Sequence, residues 1–184
     1  MKFKRISSHN NKEFEEAWKI YEYSFPSDER RSLEKQIKIL NNNDYSFSAV
    51  YNSGILCGII AAWNFNKFSF IEHIAVKEEL RNKGLGSKMI KEFQNESKKM
   101  IILETEWPSA GEMANRRIGF WKRNGFKLNE YDYIQPAYGK DKSPVPLCIM
   151  SLPNFLKITE FRNIRNAIHK KVYDLKIPIK GRDK

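Results

Sequence analysis

The residues best suited to chemistry lie between positions 71 and 93, where the sequence is IEHIAVKEELRNKGLGSKMIKEF. An apolar strand is followed there by a charged turn and by the start of a helix. Gly84 and Gly86 let a ligand approach the backbone because they carry no Cβ atom. Amide groups at a helix N-terminus and the helix macrodipole together favour an anion, and Arg81 and Lys83 add positive charge. This stretch therefore predicts a ligand that carries phosphates.

Two common phosphate-binding loops do not match these residues. The P-loop requires G-x-x-x-x-G-K-S/T, and the run from Gly84 to Lys88 has neither that spacing nor that order. The dinucleotide fingerprint G-x-G-x-x-G requires a third glycine at the position of Met89. What remains is the pattern R-x-x-G-x-G, which begins at Arg81 and lies between a strand and a helix.

This pattern resembles the pyrophosphate loop of the GNAT acyltransferase superfamily, which has glutamine or arginine, two residues, glycine, one residue, and glycine or alanine. The apolar strand that ends in Ala75-Val76 also matches the family. A second block, RIGFWKRNGF at residues 117–126, resembles the family's helix–turn–strand signature. Gly125 is predicted to end the helix and Phe126 to begin the next strand. The two blocks in this order indicate a GNAT acyltransferase.

The resemblance implies that acetyl-CoA is the co-substrate. In that family it enters a cleft where two parallel strands splay apart, and the corresponding strands here are residues 68–76 and 100–105. The first strand would pair with the pantetheine arm, and the amides of the loop would hold the pyrophosphate. The implied cofactor-binding residues are Ile74, Ala75, Val76, Arg81, Asn82, Lys83, Gly84, Leu85, Gly86 and Ser87.

The resemblance also implies direct attack of a primary amine on the thioester, with a carboxylate as general base. Neutralising an amine of pKa about 10.4 at pH 7 costs roughly 4.6 kcal/mol, and a positioned carboxylate assists. Glu72 is the first choice, because several small-amine acetyltransferases of the superfamily carry a proposed base four residues before the position of Val76. Glu104 is the second, because its LET resembles the LEV of protein N-terminal acetyltransferases. We expect His73 to point to the opposite face of the strand and to be structural.

Two positions depart from the family pattern. Trp121 stands where many members have a tyrosine that protonates the leaving thiolate, and an indole N–H is not a useful acid. Tyr138 is a candidate replacement, with Tyr131 and Tyr133 as alternatives. Ala114 stands where the family often has an asparagine, and the next residue is an asparagine. These departures leave open a second function, a CoA-binding sensor or regulatory module without turnover.

The predicted elements follow the order β-α-α-β-β-β-α-β-α-β-β, with a further helix at the end. Asn10 or Asn11 is expected to cap the first helix, and Asp28 to start the second. The order suits the α+β GNAT fold, a mixed, mostly antiparallel central sheet flanked by helices. The predicted strands span residues 2–6, 46–51, 55–64, 68–76, 100–105, 126–131 and 147–152, and the later helices span 84–98 and 111–124.

The last predicted helix begins near Asn154 and is strongly basic. The whole chain has a net charge of +11, of which residues 154–184 supply +6 from nine Lys/Arg and three Asp/Glu. An apolar stripe that includes Phe161 and Ile164 should dock this helix, with its basic residues on the outer face. We therefore predict an acetyltransferase domain at residues 1–153 and a docked basic extension at 154–184. The charge raises a third function, a nucleic-acid-associated protein, which the absence of an aromatic RNA-binding motif disfavours.

The sequence narrows the partners without naming them. Small-molecule amines are favoured as acceptors over the amines of peptides and proteins, and a homodimer is left open. An acidic patch would attract such a cation, and its candidate members are Asp28, Glu29, Glu72, Glu104 and Glu106. No metal-binding spacing surrounds the two cysteines. The sequence has no 18-residue apolar run and no secretory h-region, which predicts a cytoplasmic protein without membrane contact.

Overall fold

The computed structural model describes residues 1–179. These residues belong to two compact units, one spanning residues 1–99 and the other beginning at residue 100. The order of helices and strands along the chain is the predicted one. Within the described residues no helix combines the length and apolarity that a bilayer crossing requires. Residues 180–184, the end of the predicted basic extension, lie outside the described residues.

The first unit contains a four-stranded antiparallel sheet in which each strand pairs with the next along the chain. The predicted bounds of its third and fourth strands are confirmed residue for residue. Ser53 and Gly54 both have positive φ, 50° and 80°, as a two-residue hairpin turn requires. The strands are β1 (Lys2–Arg5), β2 (Tyr45–Asn52), β3 (Ile55–Asn64) and β4 (Phe68–Val76).

A β-bulge interrupts the pairing of β3 with β4 at Glu72. Ala61 pairs with His73, while Ala62 pairs with Ile71, so Glu72 is the extra residue. Strict alternation of side chains holds only for regular pairing, and a bulge re-aims the side chains beside it. The Oε2 atom of Glu72 accordingly lies 4.0 Å from Nδ1 of His73. The prediction that these two side chains occupy opposite faces is wrong.

Three helices accompany this sheet: α1 (Lys12–Ser24), α2 (Leu33–Ile39) and α3 (Leu85–Ser97). Asn11 caps α1, as one of the two predicted alternatives, by accepting a hydrogen bond from the Phe14 amide at 2.8 Å. The prediction that Asp28 starts the second helix is wrong. Residues 27–29 form a single 3-10 turn, and α2 starts after Ser32, whose hydroxyl accepts from the Lys35 amide. A serine N-cap satisfies an amide that the helix itself leaves without an acceptor.

The second unit contains a three-stranded antiparallel sheet with β7 in the middle. Its strands are β5 (Met100–Thr105), β6 (Lys127–Gln135) and β7 (Val145–Leu152). Its helices are α4 (Glu112–Arg123) and α5 (Ile158–Val172). Gly125 ends α4 as predicted, with φ of 90° and the amide of Phe126 bonded back to the Trp121 carbonyl at 3.1 Å.

Helix α5 docks within the second unit through the predicted apolar stripe. Phe161, Ile164 and Ile168 are buried, and the Phe161 ring lies 4.8 Å from that of Tyr131 on β6. The helix begins at Ile158 rather than near Asn154, because the Glu160 carboxylate accepts from the amide at the helix entrance. Its basic residues are not all on the outer face, since Arg165 is buried. The division into domains at residue 153 stays a prediction.

The close approach of β3 to β4 generates a first prediction. A Cβ atom added to Gly58 would overlap the carbonyl oxygen of Ala75 and lie 3.2 Å from the Cα of Val76. Gly58→Ala should therefore lower the free energy of unfolding by about 1–3 kcal/mol, the usual cost of overpacking. Urea unfolding measures this change.

Gly119→Ala in α4 is the matched control. The added Cβ would meet only the end of the Arg123 side chain, at 3.3 Å, and alanine is the better helix former by about 1 kcal/mol. This variant should be as stable as the wild type or more so. Equal stability of both variants would contradict the close strand approach.

Candidate functional site

The predicted phosphate loop lies at the N-terminus of α3. Asn82 and Gly84 have positive φ of 62° and 73°, and Gly84 is the N-cap residue. The first intrahelical hydrogen bond joins the Lys88 amide to the Gly84 carbonyl at 3.2 Å. The three amides before it point out of the helix end without an intrahelical acceptor. They belong to Leu85, Gly86 and Ser87.

The surroundings of the loop fit a pyrophosphate. Residues 81–84 are exposed, whereas Leu85 is buried and anchors the helix start. A Cβ atom added to Gly84 would enter open space with no atom within 4 Å, so a ligand has room beside this backbone. Arg81 donates from Nε to the Val76 carbonyl at 3.2 Å, which ties the loop to the end of β4. The structure thus brings residues 81–87 together at a helix end suited to an anion.

The strand that leads into the loop carries the other predicted cofactor residues. Ile74, Ala75 and Val76 pair with β3 along one edge of β4. Ala75 is buried, and Ile74 and Val76 are half-buried. Three of the ten predicted cofactor-binding residues therefore form the last part of β4, directly before the loop.

Glu72 lies in a buried cluster of side chains. Its Oε1 is 2.5 Å from Nη1 of Arg31, and the two side chains are 0% and 4% exposed. The Trp63 indole donates to Oε2 at 3.0 Å. Because the Glu72 residue as a whole is half-buried while its side chain is inaccessible, its exposed area belongs to the backbone. Sequence reasoning had not predicted Arg31 as a partner of Glu72.

His73 is a structural residue of the first unit. Its Nε2 lies 2.8 Å from the Glu29 carbonyl, and its ring packs edge-on against Tyr21 and Phe25, with centroids 4.8 and 4.5 Å away. Burial lowers the pKa of His73 to about 4, although the nearby Glu72 charge acts in the opposite direction. A histidine with this pKa is neutral at physiological pH.

Glu104 lies in a cluster of tyrosines in the second unit. The Tyr133 hydroxyl donates to Oε1 of Glu104. The Tyr173 hydroxyl donates to both oxygens, at 2.9 Å to Oε2 and 3.2 Å to Oε1. The Tyr138 hydroxyl lies 3.4 Å from that of Tyr173. Two predicted catalytic residues, Glu104 and Tyr138, are therefore joined through Tyr173, which sequence reasoning missed.

The residues that depart from the family pattern have structural contacts. Trp121 is buried, with its ring 5.0 Å from that of Phe120 and 5.4 Å from that of Phe126. Asn115 donates to the carbonyls of Pro108 and Gly111, at 2.8 and 2.9 Å, and so fastens the turn before α4. Among the alternative tyrosines, the Tyr131 hydroxyl donates to the Leu156 carbonyl at 3.0 Å, next to the entrance of α5.

Two members of the predicted acidic patch are paired with arginines. Glu72 is buried against Arg31, and Glu106 accepts both hydrogen bonds of a fork from Arg117. Each pair is electrically neutral, so these two carboxylates add little to an attraction for cations. Among the described residues no cluster of histidine, cysteine and carboxylate side chains is arranged to bind a metal ion.

This chain is similar in sequence and structure to known acetyltransferases. Residues 42–128 match the model of the acetyltransferase (GNAT) domain. A Bacteroides thetaiotaomicron protein, described as a GNAT-family acetyltransferase, is 30% identical, with a TM-score of 0.90 over 96% of this chain and 100% of its own. No curated protein matches the sequence.

More distant solved structures share the fold. An aminoglycoside 6′-N-acetyltransferase complexed with coenzyme A has 14% identity and a TM-score of 0.58, over 82% of this chain and 96% of its own. The ribosomal-protein-S18-alanine N-acetyltransferase of Escherichia coli has 17% identity and a TM-score of 0.55, over 85% and 95%. At these identities the likeness concerns the fold alone.

Burial of His73 predicts a pH-dependent stability. Its pKa is about 4 in the folded protein and about 6.5 in an unfolded chain, so the unfolded state binds more protons between these pH values. The free energy of unfolding should therefore fall as the pH drops from 6.5 to 4, by up to about 1.4 kcal/mol per pH unit for this group. Urea unfolding at a series of pH values measures the slope.

His73→Gln should make that slope shallower, while the matched change of the exposed His9 to Gln should leave it as in the wild type. His169, whose pKa burial also lowers to about 4, contributes to the slope that remains. The same slope in the wild type and His73→Gln would show that His73 is not neutral in the folded protein.

Proposed function

The chain belongs to the GNAT acetyltransferase family, and from that premise we propose that it acetylates a primary amine by direct attack on the thioester of acetyl-CoA. The predicted α+β GNAT fold is confirmed by the full-length structural match. The chain is an acetyl-CoA-dependent N-acetyltransferase, with acetyl-CoA as its co-substrate. Acetyl-CoA supplies an activated acetyl group, and the roles of individual residues below are proposals.

The proposed cofactor site consists of the end of β4 and the loop at the start of α3. Residues 74–76 would pair with the pantetheine arm, and the amides of residues 81–87 would bind the pyrophosphate. Three observations support this site. The amides at the start of α3 have no intrahelical acceptor, and the backbone at Gly84 faces open space. The hydrogen bond from Arg81 to the Val76 carbonyl fixes the start of the loop. The accessible backbone at the Glu72 bulge adds a place for main-chain contact with a ligand.

Gly84→Ala tests the cofactor site. The new Cβ would project into the space assigned to the pyrophosphate, so the affinity for acetyl-CoA should fall at least about tenfold, which corresponds to 1.4 kcal/mol. Isothermal titration calorimetry with acetyl-CoA measures this loss.

Gly54→Ala is the control, because Gly54 has a similar φ of +80° and its added Cβ would also meet nothing within 4 Å. Both variants should lose a similar amount of stability, since alanine is strained at positive φ. Gly54 lies in the β2–β3 turn, so only Gly84→Ala should lose affinity. Equal acetyl-CoA affinity in the two variants would exclude the loop assignment.

We propose Glu104 as the general base. The Glu104 residue is half-buried, and the Tyr133 and Tyr173 hydroxyls donate to its carboxylate and orient it. Glu72, the first choice from the sequence, stays a prediction, but its oxygens are engaged by the Arg31 guanidinium and the Trp63 indole. That position favours a structural role for Glu72.

Tyr138 is the proposed donor for the leaving thiolate. Its side chain is buried, and its hydroxyl belongs to the hydrogen-bonded group that includes Tyr173 and Glu104. The buried position of Trp121 beside two phenylalanine rings leaves the usual tyrosine position without an acid. A thiolate is also a good leaving group at neutral pH, so the contribution of Tyr138 to the rate should be smaller than that of Glu104.

Substitution of each carboxylate separates the two candidates for the base. Glu104→Gln should lower kcat by about 10²–10⁴, the usual contribution of general base catalysis, and should keep acetyl-CoA affinity. Glu72→Gln should instead lower the free energy of unfolding by about 3–5 kcal/mol, because it leaves the buried Arg31 charge without its partner. Thioester consumption with a panel of amines and urea unfolding measure the two effects.

A kcat of Glu104→Gln equal to that of the wild type would show that Glu104 is not the general base. Acetyl-CoA binding by the wild type without turnover of any amine would favour the alternative of a CoA-binding sensor.

The acceptor stays a prediction, either a small-molecule amine or the amine of a peptide. The structural neighbours include an enzyme named for an aminoglycoside and one named for a protein alanine, so they do not separate these classes. The cytoplasmic location and a homodimer also stay predictions. The nucleic-acid alternative also stays a prediction: Arg165 of α5 is buried, whereas Arg162 and Lys170 are exposed.

A further inference from the structure

We propose that Tyr173, the residue that directly follows α5, is a positioning residue for Glu104. The C-terminal helix would then complete the catalytic group of the second unit. This inference rests on the proposed role of Glu104 as general base. It assigns a function to part of residues 154–184, which the sequence analysis predicted only as a docked basic extension.

Two tyrosine hydroxyls hold the Glu104 carboxylate by hydrogen bonds. Tyr173 donates to both oxygens of Glu104, and Tyr133 of β6 donates to Oε1. Hydrogen bonds to an ionised acceptor are stronger than those between neutral groups. Two hydroxyl groups from different elements therefore fix the plane of the carboxylate, which one hydroxyl alone would not do.

The packing around Tyr173 holds its hydroxyl in place. The side chain is buried, and its ring lies 5.0 Å from that of Tyr138 and 6.3 Å from that of His169. The chain then folds back over the helix end. The Leu175 amide donates to the His169 carbonyl at 3.0 Å, and the Ile179 amide donates to Nδ1 of His169 at 3.2 Å.

His169 contributes no competing charge at neutral pH. Burial, assisted by the charge of Arg165, lowers the pKa of His169 to about 4, while a backbone hydrogen bond at Ile134 acts in the opposite direction. The ring lies 5.3 Å from that of Tyr133. A neutral imidazole beside both tyrosines does not repel or attract their hydroxyl protons as an imidazolium charge would.

The tyrosines around Glu104 can also adjust when Glu104 is protonated. An ionised carboxylate only accepts hydrogen bonds, which matches the two tyrosine donors. When Glu104 takes the proton from the amine nitrogen, one oxygen becomes a hydroxyl and no longer needs both donors. The Tyr173 O–H can then turn toward the Tyr138 oxygen, 3.4 Å away. Glu104 gains the one proton that the amine loses, Tyr173 keeps its own hydroxyl proton, and the direction of the Tyr173 hydrogen bond changes.

Tyr173→Phe tests the inference, because it removes the hydroxyl and keeps the ring. With spermidine and kanamycin as amine probes, kcat should fall roughly tenfold, as for other residues that orient a reactive group. The KM for acetyl-CoA should stay within about twofold, since its proposed site uses β4 and the α3 loop. In a crystal structure of the variant, the Glu104 carboxylate should be rotated from its wild-type orientation.

Two controls separate positioning from loss of stability. Ile164→Val loosens the docked face of α5 and removes no hydrogen-bonding group. Tyr51→Phe removes another hydrogen bond from a tyrosine to a carboxylate, the 2.7 Å bond to Glu13 in the first unit. Both should keep the kcat of the wild type and its Glu104 orientation. A kcat in Tyr173→Phe equal to that of the controls would overturn the inference.

Failure of the proposed function and failure of the positioning role of Tyr173 give different results. If the wild type binds acetyl-CoA but acetylates neither probe, neither probe is its acceptor, and the Glu104 orientation in the crystal structures tests the positioning role without a rate. An unchanged Glu104 orientation in Tyr173→Phe would then exclude the positioning role. A Glu104 carboxylate that is rotated in Tyr173→Phe but not in Ile164→Val would support it.

Discussion

The pairing of β3 with β4 is the constraint on which the first unit depends. Gly58 lets the two backbones approach, and the bulge at Glu72 turns that side chain inward to meet Arg31. The strand beyond the bulge then runs without interruption to Val76, whose carbonyl receives the Arg81 side chain. One strand pair thus sets the position of the phosphate loop, the accessible backbone and the buried ion pair.

The two candidate bases differ in how their charge is held. A guanidinium in contact with Glu72 neutralises its carboxylate, and removal of either partner leaves an uncompensated buried charge. The hydroxyls of Tyr133 and Tyr173 donate to Glu104 and orient its carboxylate. Proton transfer to Glu72 would therefore cost a buried ion pair. This difference decides our preference for Glu104, although both residues occupy comparable strand positions in the sequence.

Local patterns predicted much of the fold and the phosphate loop. The bounds of β3 and β4 and the Asn11 cap follow from apolar runs, turn residues and side-chain hydrogen bonding that extend over a few positions. The start of α2 was misplaced because Asp28 and Ser32 both suit an N-cap, and tertiary packing chooses between them. The bulge at Glu72 was missed for a similar reason, since it depends on the partner strand.

The tyrosine cluster shows why the candidate catalytic group was harder to predict than the cofactor loop. The loop needs neighbours in sequence, and a helix end supplies its amides. Glu104 and Tyr173 are 69 positions apart, and Tyr173 meets the carboxylate only because the stripe of α5 docks on β6. In the sequence Tyr173 is one aromatic residue after an amphipathic helix, among lysines that suggest a solvated surface. The role that we propose for Tyr173 therefore depends on the docking of α5, a contact between elements that are distant in sequence.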